Sequence, residues 1–227
     1  MPDTAQPDPY LDAQLAQLDI KQEHLVICDI DEVVLHFLKP FRIFLQENGY
    51  RLGSSDYSLN NNIMKQTGDQ TAGSEETRAM ITKFFDAEIG NQPLVEGAQT
   101  TLNNLSAQSQ IIFLTNIPYG LRSRRIIALE NHGLKYPLIT HSGPKGPTVE
   151  RLANQTSAQV FFLDDSPSNL TSINSPSRNI HLIQFVADDV FFHLAPDLAA
   201  VQLKTNVWAD VGTYITRHLT ASTIDDE

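Results

Sequence analysis

The chain has 227 residues, of which 41% are hydrophobic and one is cysteine, and its formal net charge is -11. That length can bury a core without disulfides. The acidic balance argues against a protein that coats nucleic acid or an anionic membrane, since both reward clustered Lys and Arg. Residues 1–10 are rich in Pro and Asp and lack the basic start and apolar centre of a signal peptide, and no window is long and apolar enough to span a bilayer. A soluble, cytoplasmic protein is expected.

Leu11, Leu15 and Leu18 recur at helical spacing and predict a short amphipathic helix laid against the domain. The run Leu25-Val26-Ile27-Cys28 then predicts a strand buried on both faces. Cys28 reads as a small apolar filler. The run stops at Asp29 and Asp31, two carboxylates two positions apart, and ligands of open α/β sheets bind at the carboxyl ends of strands. Phe37, Phe41, Phe44 and Leu45 suit a helix with Pro40 in its first turn and Asn48-Gly49 at its end. Residues 53–73 are polar and predict a loop or irregular short helices. Within them Asn60, Asn61 and Asn62 are candidates for a site entrance, although surface Asn is usually only surface. Ser74, Glu75 and Glu76 suit a capped helix start, continued by Ile81, Phe84, Phe85 and Ile89. No strand pattern is found in residues 36–92, which read as a helical insertion.

Residues 93–97 form a turn-like re-entry, and Ala98–Leu105 suits a helix. A second buried-strand signature, Ile111-Ile112-Phe113-Leu114, ends at Thr115-Asn116. Residues 121–131 suit a helix whose Arg122, Arg124 and Arg125 read as a solvated face rather than as a ligand for an anion. A weak third strand, Leu138-Ile139-Thr140, precedes Lys145 in a loop rich in Gly and Pro, and a helix is predicted over 148–155. Val160-Phe161-Phe162-Leu163 runs into Asp164-Asp165, with Asn169 four residues beyond, and a fifth apolar run covers residues 181–186. Strands alternating with helices predict a parallel sheet. The expected fold is α/β: a Rossmann-like parallel-sheet core with helices on both faces, built from residues 1–35 and 93–227, with a helical cap inserted at 36–92.

Four strand ends thus carry Asp29-Ile30-Asp31-Glu32-Val33, Thr115-Asn116, Lys145, and Asp164-Asp165. Each motif is weak alone, but the ordered set resembles the four motifs of the haloacid dehalogenase superfamily. The resemblance covers about residues 23–186, and the insertion resembles that superfamily's small helical cap. It implies a Mg²⁺-dependent phosphohydrolase acting on a small phosphorylated metabolite. Asp29 would be the nucleophile that forms an aspartyl-phosphate, and Asp31 the general acid and base. Thr115, Asn116 and Lys145 would bind the substrate phosphate. Asp29, Asp31 (through its backbone carbonyl), Asp164 and Asp165 would hold Mg²⁺. Asn169 would orient its neighbours rather than ligate.

Glu32 departs from the pattern, standing where many members have Gly and adding a third acid near the site. No nucleic-acid or membrane partner is expected, and the chain is read as a monomer or homodimer. A phosphotransferase or phosphomutase would keep the same four motifs. A catalytically silent binding protein is expected to lose one, and none is lost.

Overall fold

A computed structural model describes residues 8–22, 24–60, 62–68, 70–173 and 180–222, the side chains of the last two excepted. Asn61 and residues 1–7 therefore lie outside the described residues. The central strand is β1 (Leu25–Cys28), all four residues buried. It pairs in parallel with β4 (Gln110–Thr115) on one side and β6 (Val160–Asp164) on the other. Outside these lie β5 (Leu138–Thr140), β7 (Ile180–Phe185) and β8 (Leu203–Thr205), giving the parallel order β5-β4-β1-β6-β7-β8.

Period-two alternation divides each apolar strand between two helical layers. Val26 and Cys28 face a cluster containing Ala98, Leu102 and Leu105 of α4 (Ala98–Leu105), Leu129 of α5 (Arg122–Asn131), and Trp208, Val211 and Ile215 of α9 (Trp208–Ser222). Leu25 and Ile27 face the opposite cluster, with Leu11 and Leu15 of α1 (Pro9–Ala16), Val149 and Leu152 of α6 (Gly146–Ala153), and Leu170 of α7 (Pro167–Thr171). Strands covered on both faces have no polar side, which is why their sequence is continuously apolar. The tail beyond residue 186, which carries no motif, supplies α8 (Asp189–Leu194), the edge strand β8 and the covering helix α9.

Between β1 and α4 the chain forms α2 (Leu38–Glu47), β2 (Tyr50–Leu52), β3 (Ile63–Lys65) and α3 (Ser74–Glu88). The antiparallel hairpin β2–β3 corrects the expectation of a strandless insertion. Its strands have three residues each and do not alternate cleanly, too little for periodicity to register. Gly49 (φ 82°) turns the chain from α2 into it. A second correction concerns α3, whose N-cap is Gly73, with no side-chain cap; Ser74 already lies inside the helix. Phe37, Phe41, Phe84 and Phe85 pack ring against ring in the cluster shared by α2 and α3. The two connections to the core run side by side: Leu35 bridges Leu94, the His36 amide donates to the Pro93 carbonyl, and the Val95 amide donates to the Val34 carbonyl.

Candidate active site

Register brings the acids together. Cys28 pairs with Leu163 across β1–β6, so the next residues, Asp29 and Asp164, emerge at the same height, and the Asp29 amide donates to the Leu163 carbonyl. Cys28 also pairs with Phe113, which places Thr115 beyond the end of β1 on the other side. The first motif, Thr115 and the acidic pair therefore share one sheet edge.

Lys145, the residue before α6, reaches that edge from beneath. Its Nζ lies 2.7 Å from Asp29 Oδ1 and 2.8 Å from Asp164 Oδ2, and the residue is 1% exposed. Burial alone would lower the ammonium's pKa, but Asp164 and Asp29 outweigh it and raise it. Asp164 is held in turn by the Ser166 amide and by Asn169 Nδ2, at 2.9 and 3.0 Å on Oδ1. The start of α6 admits only glycine at 146: a Cβ there would stand 2.2 Å from the Ser172 carbonyl oxygen.

Asp29, Asp164 and Asp165 offer ligand oxygens that all lie within 4.8 Å of one another. Three carboxylates face the single ammonium of Lys145. Burial pushes the Asp29 carboxyl up to about 7 against the pull of Lys145, with Asp164 and Asp31 adding repulsion. Burial, then Asp164 and Asp29, raise Asp165 as well. Close carboxylates in excess over ammonium are the donor chemistry of a hard divalent cation, so the residues fit one. Of the three, Asp164 is the most engaged by protein donors, while the Tyr57 hydroxyl donates to the Asp165 carbonyl (2.7 Å) and to its Oδ2 (3.1 Å).

The Asp31 side chain turns away from that trio. Its Oδ1 accepts from Arg125 Nη2 and from Gln92 Nε2, both at 2.8 Å, and its Oδ2 faces Arg125 Nη2 at 3.1 Å and Thr115 Oγ1 at 3.4 Å. Arg125 is wholly buried, its Cζ 5.7 Å from the Phe85 ring centroid, and its Nε and Nη1 have no partner among the described residues. This corrects the reading of Arg125 as part of a solvated face, while Arg124 is exposed as expected. Arg125 lies four residues from both Leu121 and Leu129, on the buried stripe of the helix, while Arg122 binds the Leu138 carbonyl and Arg124 the Asp86 carbonyl.

Glu32 has φ 64°, the sole non-glycine residue with positive φ among the described residues. That conformation costs a side chain about 1–3 kcal/mol, which explains a preference for Gly here. Four bonds hold it: its amide donates to the Leu35 carbonyl, its carbonyl accepts from Ala187, and its Oε2 accepts from the amides of Phe37 (3.0 Å) and Leu38 (2.7 Å). The carboxylate therefore caps α2. Burial pushes it up to about 7.

A cavity of about 900 Å³ opens between the sheet edge and the insertion, lined by Asp29, Lys145 and Asp165 on one side and by Tyr57, Leu59 and Ile81 on the other. A crevice of about 170 Å³ continues from it to Asp31, Glu32 and Thr115. Asn116 and Asn60 line the larger cavity, whereas Asn62 is buried and donates to the Asp56 carbonyl.

No protein-family model and no curated protein sequence matches the chain. Solved structures do. A Bacillus subtilis HAD-type hydrolase bound to magnesium aligns over 86% of this chain and 99% of its own, with TM-score 0.58 and 12% identity. A haloacid dehalogenase-like family hydrolase from Xanthomonas campestris covers 89% and 98%, with TM-score 0.57 and 12% identity. A predicted phosphoglycolate phosphatase from Haemophilus somnus covers 87% and 100%, with TM-score 0.54 and 14% identity. The fold is that of the haloacid dehalogenase-like hydrolases.

On this haloacid dehalogenase-like core, the residues singled out in the sequence fall into two groups. Asp29, Lys145, Asp164 and Asp165 form one contiguous cluster. Asp31 and Thr115 sit beside it, facing each other, and Asn116 lies at the rim with its amide on the Gly143 carbonyl. Sequence reasoning missed Arg125, Gln92 and Tyr57. For Arg125 the available signal was its i±4 spacing to leucines; Gln92 and Tyr57 carry none.

Proposed function

We propose that the chain is a Mg²⁺-dependent phosphohydrolase that cleaves a small phosphomonoester through an aspartyl-phosphate on Asp29. The observation that carries this reading is the Lys145 ammonium held between Asp29 and Asp164 at one sheet edge, beside Asp165 and below an open cavity. Phosphoryl transfer demands this combination of a positioned nucleophile and concentrated positive charge.

Asp29 attacks phosphorus: a P–O bond forms to its carboxylate as the bond to the leaving oxygen breaks, and Asp31 delivers a proton to that oxygen. Asp31 then takes a proton from the water that attacks the phospho-Asp29 phosphorus, returning free Asp29 and inorganic phosphate. Lys145 holds Asp29 in its attacking position and balances phosphoryl charge from below. Thr115 and Asn116 offer a hydroxyl and an amide to the phosphoryl oxygens. Asp29, Asp165 and the Asp31 carbonyl, with Asp164 in support, would hold Mg²⁺, which when bound would neutralise phosphoryl charge. The insertion acts as a lid, attached through the paired connections at Leu35 and Leu94.

The test is turnover of a phosphomonoester panel with Mg²⁺ and with EDTA, run beside Asp29→Asn and Asp31→Asn. Asp29→Asn is expected at background. Asp31→Asn is expected to accumulate phospho-Asp29 with an aryl phosphate, whose leaving oxygen needs little protonation, and mass spectrometry detects the adduct. Wild-type activity in Asp29→Asn overturns the assignment.

A further inference from the structure

We infer that the substrate's leaving group carries no second anion: the cavity is built for a phosphorylated alcohol whose remaining body is partly apolar and uncharged or cationic. This rests on the phosphohydrolase reading above and adds the class of substrate.

Three observations support it. The first is charge. Among the described residues lining the cavity the acids are Asp29, Asp56 and Asp165, and the lone cation is Lys145, already in contact with Asp29 and Asp164. Arg42, stacked 5.5 Å from the ring centroid of the lining residue Phe191, is bound through both terminal nitrogens to Asp188. Within this cavity a carboxylate or second phosphate on the substrate would meet acids and find no free cation among the described lining residues; Arg78 lines the adjoining pocket, beyond Ile81 and Asn116.

The second is the helix terminus. Phe37 and Leu38, which open α2, both line the cavity, and unoccupied amides at a helix start make a ready anion site. Here Glu32 Oε2 already accepts from both amides. The protein has placed its own carboxyl group where a substrate anion would dock.

The third is the chemistry of the walls: Leu59, Ile81, Phe191 and Leu194 line the cavity and suit an apolar body.

The experiment compares kcat/KM for phenyl phosphate, 4-(aminomethyl)phenyl phosphate and 4-carboxyphenyl phosphate, which share one leaving chemistry and differ in charge. The carboxylate ester is expected to be worse than phenyl phosphate by about tenfold or more, and the ammonium ester equal or better. In Glu32→Gly, which relieves the positive φ and frees the two α2 amides, the carboxylate penalty is expected to shrink about tenfold. Asp56→Asn, at an exposed position with little bearing on folding, is expected to shrink it about threefold. A wild type that takes the carboxylate ester as well as phenyl phosphate overturns the inference, as does an undiminished penalty in Asp56→Asn and in folded Glu32→Gly. Absence of Mg²⁺-dependent turnover of phenyl phosphate itself would instead overturn the phosphohydrolase reading.

Discussion

Replacing Arg125 by Met asks what the buried arginine does for Asp31. Removing one partner of a buried ion pair costs about 3–5 kcal/mol when the other charge is stranded. Two features of the structure reduce that figure. Asp31 keeps Gln92 and Thr115 as donors, and its side chain is 16% exposed. The guanidinium also takes with it two buried nitrogens that have no partner among the described residues, each unfavourable by about 1–3 kcal/mol. Met spans much of the same length and keeps contact with Phe85, so the expected net loss is about 1–2 kcal/mol. The chain has one tryptophan, Trp208, which is 1% exposed, and its fluorescence reports urea unfolding directly. A double-mutant cycle with Asp31→Asn should give a coupling of about 1–2 kcal/mol. Turnover of an alkyl phosphate should fall about tenfold with KM unchanged, because what is lost is the orientation of Asp31 and not substrate binding. Unchanged stability together with zero coupling would refute the pairing.

The metal-free protein should lose stability as pH rises. With Asp29 raised to about 7, the folded state keeps a proton that the unfolded chain has released above about 4, so stability falls across that window by up to about 1.4 kcal/mol for each step of one in pH. Glu32, also raised to about 7, acts in the same direction. Melting temperatures in EDTA should therefore fall between pH 5 and 7, and millimolar Mg²⁺ should flatten the trend; a flat profile in EDTA counts against the buried acidic cluster. Tyr57→Phe removes the insertion's donor to Asp165 and should weaken Mg²⁺ binding about tenfold by calorimetry, while an unchanged affinity would mean the hydroxyl does not position that carboxylate. Gly146→Ala drives a Cβ into the Ser172 carbonyl and should destabilise by about 1–3 kcal/mol in urea melts, with activity reduced because Lys145 is the adjacent residue.

The strands that bear the site are legible because sheet burial on both faces leaves no polar position to interrupt them. β1, β4 and β6 each read as an unbroken apolar run that stops at a polar residue, and those stops are where Asp29, Thr115 and Asp164 stand. What the sequence conceals is side-chain reach. Arg125 is easily misread because a charge usually means solvent, yet its partner lies 94 positions away in the chain on a different strand end. Tyr57 and Gln92 come from irregular segments, where no period tells which way a side chain points. The β2–β3 hairpin is too short and too mixed in polarity to separate from loop, and Glu32's positive φ is a backbone property that composition does not announce.

The ladder at Leu35 and Leu94 bears on how this molecule tolerates change. Opposed residues in an antiparallel pair sit only about 5 Å apart, a gap that a two-residue turn can span. The core therefore experiences everything from α2 to α3 as one closed hairpin loop, whatever its length. Closing a longer loop adds only about 0.6 kcal/mol per doubling, so residues added to the exposed turns of the segment cost the sheet little. Such additions leave the residues at the strand ends where β1, β4 and β6 put them.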